Sequence, residues 1–205
     1  MKQLLVDYIP FEISSEQINE SMKENNGKLV VKGVLQRANA KNQNGRVYPM
    51  EILQREAKNY SEQFITQKRA LGELDHPDSS VVNLQNVSHN ITEMHWEGDN
   101  LLGTVEILTT PSGNILRELF KNGIKLGISS RGMGSVETVN EADGPTTKVG
   151  KDFELIAFDF VSNPSTHGAF MYPLQENVDK TQTQGRTCGQ YCKAEDMINK
   201  IIRGE

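Results

Sequence analysis

The chain has 205 residues, of which 36% are hydrophobic and 24% are charged, and its formal net charge is -5 at pH 7. This length and composition suit one globular domain with a hydrophobic core. General nucleic-acid-binding proteins need dense lysine and arginine patches to neutralise phosphates. The sequence has no such patch, so we expect no nucleic-acid partner.

The N-terminal stretch MKQLLVDYIPFEI has no long apolar core, because Asp7 interrupts it early. A secretory signal and a membrane span both need a longer uninterrupted apolar run. We therefore expect a protein that stays in the cytoplasm where it is made and has no membrane partner.

Strand-like and helix-like stretches alternate along the chain, and the strand-like ones predominate. Pro49 ahead of an apolar stripe indicates the start of a helix, and Gly98-Asp99-Asn100 is a turn signal between two apolar runs. The predicted elements are a weak helix from Ser14 or Ser15, a strand in 28–39, a helix over roughly 50–67, a hairpin over 91–108, a helix capped by Ser112 and ended by Asn122-Gly123, and strands near 124–139 and 153–161, with turn-prone residues between these two. The predicted fold class is mainly β (α+β), a mostly antiparallel sheet forming a closed or half-closed β-barrel with a few α-helices around it.

Residues 175–190 have almost nothing to bury, and the short AEDMINKIIRGE after them can form only a marginal helix. The sequence therefore predicts a folded domain over 1–174 and a flexible C-terminal tail over 175–205. Cys188 and Cys192 lie in this tail without a second ligand pair, so we expect two reduced thiols and no zinc site.

The stretch GISSRGMG, residues 127–134, places two serines at the end of an apolar run. In an extended strand, Leu126, Ile128 and Ser130 share an apolar, inward face. Ser129 lies on the other face, between Gly127 and Arg131, which leaves room for a substrate and offers a positive charge. Ser129 is therefore the better candidate nucleophile, although two hydroxyls that merely cap a turn are the commoner meaning of this pattern.

A serine hydroxyl needs a base that accepts its proton, and histidine is the natural candidate. The chain has four histidines, of which His76 ranks first because Pro77 stiffens its backbone and Glu73, Asp75 and Asp78 are close in sequence. The other three are expected to be ordinary surface or loop residues: His89, His95 and His167.

A third group must orient the imidazole and balance its charge, and FELIAFDFV suggests one. Strand alternation places Asp159 among apolar side chains, where an unpaired carboxylate is costly. Two partners remain open on this basis: His76 in a catalytic arrangement, or backbone amides and an arginine in a structural one.

The motifs ALGELDHP, GISSRGMGS and FDFVSNPS, in this order, resemble those of the prohead core proteases of large contractile-tailed bacteriophages of the T-even type. NGRVYPMEIL ahead of the long helix adds to the resemblance, which spans about Asn39 to Ser165. It implies a serine endopeptidase related in fold to the herpesvirus assembly proteases, with His76 and Ser129 as catalytic residues. The herpesvirus enzymes use a second histidine as third member, whereas the phage motif offers Asp159; His167 and Glu73 are the alternatives.

The resemblance also implies cleavage after glutamate, with an aliphatic residue two positions before it. The implied substrates are scaffold, core and major capsid precursor proteins inside the immature head, in the host cytoplasm. No cofactor or metal is implied, and a homo-oligomer is left open. Backbone N–H groups in a turn at Arg131-Gly132 are expected to stabilise the oxyanion, and Arg131 is a candidate partner for the substrate glutamate.

Two other classes of function remain. A metal-dependent hydrolase would use Asp75, His76, Asp78 and His89, although their spacing fits no metal motif. A non-catalytic head-assembly protein would bind scaffold or capsid chains and leave them uncut.

Overall fold

A computed structural model describes residues 3–11, 15–77, 79–124, 126–141, 144–162 and 171–173. The tail with Cys188, Cys192 and its predicted helix lies outside the described residues, as do Asp78 and His167. The boundary after residue 174 therefore stays a prediction. Within the described part of the chain, no helix is long and apolar enough to cross a membrane.

Strands predominate over helices among the described residues, as the sequence predicts. The strands are β1 (Gln3–Phe11), β2 (Leu29–Arg37), β3 (Arg46–Val47), β4 (Leu71–Glu73), β5 (Val87–Glu97), β6 (Asn100–Ile107), β7 (Leu126–Gly134), β8 (Val136–Glu141), β9 (Gly144–Val149), β10 (Glu154–Val161) and β11 (Met171–Pro173). The helices are α1 (Ser15–Glu24), α2 (Met50–Tyr60), which continues as a π-helical turn (Ser61–Ile65), and α3 (Pro111–Lys121).

The strands form three sheets in the orders β1-β7-β10, β11-β2-β6-β5-β4 and β3-β9-β8. All pairs of neighbouring strands are antiparallel except the short β3–β9 pair. The mainly β, antiparallel class is therefore confirmed. The predicted barrel is not: within the described residues the hydrogen-bonded strands make separate sheets and do not close into a cylinder.

The helices form where their apolar stripes predict them. In α1 the stripe residue Ile18 is fully buried, and α2 begins directly after Pro49. The cap of α3 differs from the prediction: Thr110, not Ser112, accepts a hydrogen bond from the Gly113 N–H at 3.1 Å. Pro111 explains the difference, since its fixed φ favours the first helical position and leaves the residue before it as the cap.

Two strands lie where the sequence gives only weak signals. β1 is in the N-terminal stretch that lacked a regular pattern, and it pairs with β7 along its whole length. β9 lies in the segment expected to be turn-prone and pairs with β8. Strand pairing with a distant or neighbouring partner stabilises both segments in spite of their composition.

One connection between sheets positions the site. Leu74, just after β4, forms an isolated parallel bridge with Phe160 of β10, and the Asp75 N–H donates to the Phe160 carbonyl at 2.7 Å. This contact joins the end of β4 to β10 at the level of Asp159. The chain that follows β4 therefore starts beside β10, and His76 is its third residue.

Candidate active site

Ser129 lies in β7, the middle strand of its sheet, directly opposite Asp159 of β10. Opposite residues of an antiparallel pair project from the same face, with Cβ atoms roughly 5 Å apart. The side chains of Ser129 and Asp159 are therefore neighbours. Both residues are fully buried.

The carboxylate of Asp159 is held by groups from three parts of the chain. Its Oδ2 lies 3.0 Å from His76 Nδ1, while its Oδ1 accepts from the Glu73 N–H at 3.0 Å and from Arg131 Nη2 at 3.1 Å. The catalytic and the structural partners that the sequence left open are thus both present. His76, an arginine and a backbone amide share one carboxylate.

Arg131 is the largest fully buried side chain among the described residues and has no contact with solvent. Its Nε lies 2.9 Å from Asp159 Oδ2 as an ion pair without hydrogen-bond alignment, and Nη2 donates to Glu73 Oε1 at 2.9 Å. Nη1 donates to the Ser79 carbonyl at 2.8 Å. The guanidinium is therefore occupied inside the protein, where the sequence suggested an open, substrate-facing cation.

The segment after β4 brings His76 to Asp159. Asp75 has a φ of +68°, an unusual conformation for a residue other than glycine, and its Oδ1 accepts from the His76 N–H at 2.9 Å. This local bond offsets part of the strain of the left-handed backbone. The bend directs the imidazole toward β10, and the side chain keeps 15% of its surface exposed.

Four buried polar atoms at the site have no hydrogen-bond partner among the described residues: Ser129 Oγ, His76 Nε2, Glu73 Oε2 and Arg131 Nε, the last of which still forms an ion pair with Asp159. Because His76 Nδ1 faces a carboxylate, Nδ1 carries the proton of the neutral ring and Nε2 is an acceptor. The unpartnered hydroxyl is a donor. The site thus contains a free buried donor and a free buried acceptor, both next to Asp159.

Ser130 is placed quite differently. Its Oγ accepts from Gln36 Nε2 of β2 at 2.7 Å, on the opposite face of β7. The expected inward direction of Ser130 is confirmed, but its face also holds a polar contact. The expected openness of the Ser129 face is wrong, because the segment after β4 covers it and Ser129 is fully buried.

The turn expected at Arg131-Gly132 is not present. Both residues lie within β7 and pair with β1 on one side and β10 on the other. A Cβ at Gly132 would lie 2.4 Å from the Phe153 ring and 2.7 Å from the Glu154 carbonyl, so this glycine accommodates its own neighbours. A β-bulge between Leu155 and Ala157 faces this point, and bulges are frequent beside active sites. The oxyanion role of these two residues stays a prediction.

His89 is not the surface histidine that the sequence suggested. It is fully buried, with Nε2 2.9 Å from the Phe158 carbonyl and Nδ1 2.9 Å from Ser88 Oγ. Burial lowers the pKa of His89 to about 4, although the Asp159 charge opposes this shift. The ring is therefore neutral near pH 7, with both nitrogens occupied, and is not available as a base.

One buried aromatic residue, Tyr60, is affected by the charge of Asp159. Tyr60 packs edge-on against Phe158 with ring centroids 5.7 Å apart. Burial, and secondly the Asp159 charge, raise the pKa of Tyr60, so its hydroxyl keeps its proton. His95, by contrast, is partly exposed and pairs with Glu97 at 3.4 Å.

The described residues contain no group of three or more His, Cys, Asp or Glu side chains that could hold a metal ion. Of the candidates for a metal site, His76 and His89 each have other partners, and Asp78 lies outside the described residues. Glu73, an alternative third member, contacts Arg131 through Oε1.

Three parts of the site were not predicted from the sequence: the Ser79 carbonyl, Gln36 and Gly72. The first is a backbone atom, and Gln36 is separated from Ser130 by 94 positions, so neither leaves a local signal. Gly72 does leave one, as a glycine within a strand-like run. A Cβ there would lie 2.0 Å from the Phe158 carbonyl and 2.2 Å from His89 Nε2.

An imidazole held by a buried carboxylate, with an unpartnered serine hydroxyl beside that carboxylate, has the composition of the triad of serine hydrolases. The chain belongs to the prohead core protein serine protease family, whose model matches residues 6–183. It is thus a protease of bacteriophage head assembly.

A sequence comparison and a structure comparison both find similarity to a protease of bacteriophage T4. The prohead core protein protease of Enterobacteria phage T4 is 29% identical over 182 residues, covering 87% of this chain and 82% of that protein. The solved structure of the bacteriophage T4 capsid assembly protease superposes with a TM-score of 0.67 at 29% identity, covering 78% of this chain and 98% of the other.

Proposed function

We propose that the chain is a serine endopeptidase in which Ser129 is the nucleophile, His76 the general base and Asp159 the residue that orients His76. Its substrates are scaffold, core and capsid precursor proteins inside the prohead, cleaved after glutamate. The observation that carries the proposal is the shared neighbour of His76 and Ser129: His76 contacts the Asp159 carboxylate, and Ser129 lies directly opposite Asp159 on the adjacent strand.

The reaction begins with proton transfer from the Ser129 hydroxyl to His76 Nε2. His76 Nε2 takes the proton of Ser129 Oγ while that oxygen attacks the peptide carbonyl, and the ring later returns a proton to the leaving amine. Asp159 holds the proton on Nδ1, which keeps Nε2 as the acceptor, and it stabilises the imidazolium that forms. Catalytic hydrogen bonds are often open in the absence of substrate, so an unformed Ser129–His76 bond fits this role.

Substrate access requires a rearrangement, because Ser129 is fully buried. A peptide carbonyl must come within about 3.5 Å of the attacking oxygen. The cover over the Ser129 face therefore has to move before cleavage. Activity is confined to conditions that open this face.

The decisive experiment compares two adjacent serines. The chain is co-expressed with its scaffold protein, and the products are identified by mass spectrometry. Ser129→Ala should abolish cleavage, with a loss on the order of 10⁶ as for other serine nucleophiles. Ser130→Ala is the matched control and should keep most of the activity, because Ser130 faces Gln36.

The reverse pattern, with Ser130→Ala inactive and Ser129→Ala active, would overturn the assignment of the nucleophile. A scaffold that the unaltered chain leaves whole at every protein concentration would indicate a binding role in place of proteolysis.

Specificity is tested on the substrate. Replacing the glutamate before an observed cut by glutamine removes one charge and keeps the shape. Cleavage there should fall at least tenfold, since the site would then lose a charge-assisted contact. An equal rate for both substrates would contradict cleavage directed by glutamate.

A further inference from the structure

We propose that Glu73 and Arg131 are positioning residues of the protease, and that Glu73 supplies a negative charge that stabilises protonated His76 during the reaction. This inference rests on the proposed role of His76. It adds two residues to the site and assigns a separate task to each: a geometric one to Arg131 and an electrostatic one to Glu73.

Arg131 is the geometric centre of the group. Its guanidinium contacts Asp159 of β10, Glu73 of β4 and the Ser79 carbonyl of the segment that follows His76. These contacts join β7, which carries Ser129, to β10, to β4 and to the segment that follows His76. A planar five-donor fork suits such a position, whereas a lysine ammonium has one centre and three donors.

Glu73 also holds the segment after His76. Its Oε1 accepts from the Asn83 N–H at 3.0 Å as well as from Arg131. Its own N–H donates to Asp159 Oδ1. The residue therefore contacts the Asp159 carboxylate through its backbone and the Arg131 guanidinium through its side chain.

The charges of this group do not cancel while His76 is neutral. Two buried carboxylates, Glu73 and Asp159, face one buried guanidinium, so the sum is one negative charge. Protonation of His76 brings the sum to zero. Since buried unbalanced charge is unfavourable, the group favours the imidazolium that forms when Ser129 gives up its proton.

The second oxygen of Glu73 supports this role. Glu73 Oε2 is buried and has no hydrogen-bond partner among the described residues. A carboxylate that served only to hold the loop would be expected to satisfy both oxygens, since leaving one buried and unpaired is costly. Its charge is incompletely neutralised by local bonds and still acts on its neighbours.

The charged groups around His76 come from each packed element. Asp159 of β10 touches the ring, Arg131 of β7 and Glu73 of β4 touch Asp159, and Asp75 precedes His76 in the chain. Neutralising Glu73 removes one negative charge from this set without removing the acceptor that Arg131 and Asn83 use.

The experiment measures kcat/KM against pH for the full chain and for Glu73→Gln. The acid limb of the profile should move to lower pH by on the order of one unit, because protonated His76 loses part of its stabilisation. Both kcat and kcat/KM should fall near pH 7 with little change in KM. The same shift should appear in an NMR titration of the His76 ring in a Ser129→Ala background.

Glu56→Gln is the matched control. Glu56 is also a buried carboxylate that accepts from a backbone N–H and an arginine, but its partners are Leu155 and Arg55. This variant should leave the acid limb where it is. A limb that stays in place in Glu73→Gln, or moves equally in Glu56→Gln, would overturn the electrostatic role.

Arg131→Lys tests the geometric role, because it keeps the charge and loses the fork. The acid limb should stay within a few tenths of a pH unit while kcat falls at least tenfold. Full kcat in a folded Arg131→Lys protein would overturn the positioning role of Arg131.

Failure of this inference is distinguishable from failure of the proposed function. If His76→Ala abolishes cleavage while Glu73→Gln leaves both the pH profile and the NMR titration unchanged, only the role of Glu73 is wrong. If His76→Ala remains active, the assignment of the base is wrong and the inference fails with it.

Discussion

The two faces of β7 are both buried, yet their polar groups are satisfied to different degrees. On one face Ser130 pairs with Gln36, a neutral contact between two side chains. On the other face Ser129 lies opposite Asp159, which contacts Arg131 and His76, and four polar atoms of this group have no hydrogen-bond partner in the described part of the chain. Native proteins rarely bury unpaired polar atoms, and those that persist are often functional. The difference separates a structural serine from a candidate nucleophile.

Two histidines, the buried His89 and the partly buried His76, repeat this contrast. His89 uses both ring nitrogens and is kept neutral by its surroundings, whereas His76 uses one nitrogen and leaves the other unpartnered. Both lie near Asp159, so proximity to the carboxylate does not by itself define a base. An unoccupied acceptor does, and of these two histidines His76 has one and His89 has none.

After Ser129→Ala, the largest expected effect comes from Asp159→Asn, which removes the negative charge that His76 and Arg131 contact. Asparagine presents an amide donor to His76 or to Arg131, so the His76 ring loses the preferred tautomer, in which Nδ1 carries the proton. We expect kcat to fall by ~10⁴, the cost of the same change in other serine proteases. Steady-state kinetics on a scaffold peptide would measure it, with circular dichroism as a check of folding. A two- or threefold change would leave Asp159 with a structural role alone.

The next-largest effect concerns the pH dependence of stability that His89 causes, and it sharpens the contrast between His89 and His76. An exposed histidine has a pKa of ~6.5, whereas that of His89 is lowered to about 4. Below about pH 6.5 the unfolded chain binds a proton that the folded chain does not, so stability is lost as the pH falls and the loss is complete near pH 4. This difference corresponds to about 3 kcal/mol of unfolding free energy.

His89→Gln isolates that contribution, since an amide can still donate to the Phe158 carbonyl and does not titrate. Urea unfolding at several pH values should show a flatter pH dependence for the variant, even though it is less stable at pH 7. Identical slopes for both proteins would mean that His89 is protonated in the folded state.

The smallest effect concerns stability at the two serines. Ser130→Ala leaves Gln36 Nε2 without its acceptor and should lower the unfolding free energy by about 1–3 kcal/mol. Ser129→Ala removes an unpartnered hydroxyl, so the protein should be equally stable or slightly more stable. Thermal unfolding of both variants would measure the difference. Equal destabilisation would show that Ser129 has a bonded role in the fold.

Much of the fold could be predicted from the sequence, because hydrophobic periodicity and turn residues are local signals. The hairpin of β5 and β6, helix α2 and strand β10 lie where these signals place them. β1 and β9 could not be predicted in this way, since their stability comes from pairing with β7 and β8. Barrel closure depends on how sheets meet, which no local pattern records.

The same distinction between local signals and long-range packing applies to the site. Alternation correctly separated Ser129 from Ser130, and it identified Asp159 as a buried carboxylate that needs a partner, although the groups around it are charged and polar rather than apolar. It could not show what covers each face, so Arg131 was expected to meet substrate when in fact two carboxylates and a carbonyl surround it. The catalytic roles of His76, Ser129 and Asp159 stay predictions.

Among its described residues, the segment after His76 contacts the buried charges through main-chain atoms: the Ser79 carbonyl and the Asn83 N–H. Every residue supplies a carbonyl, and every residue except proline supplies an N–H. The anchors therefore place almost no demand on side-chain identity, and Val81 and Leu84 between and beside them project into solvent. Mutation can therefore change the outer surface of this loop while the buried charged group beneath it is left undisturbed.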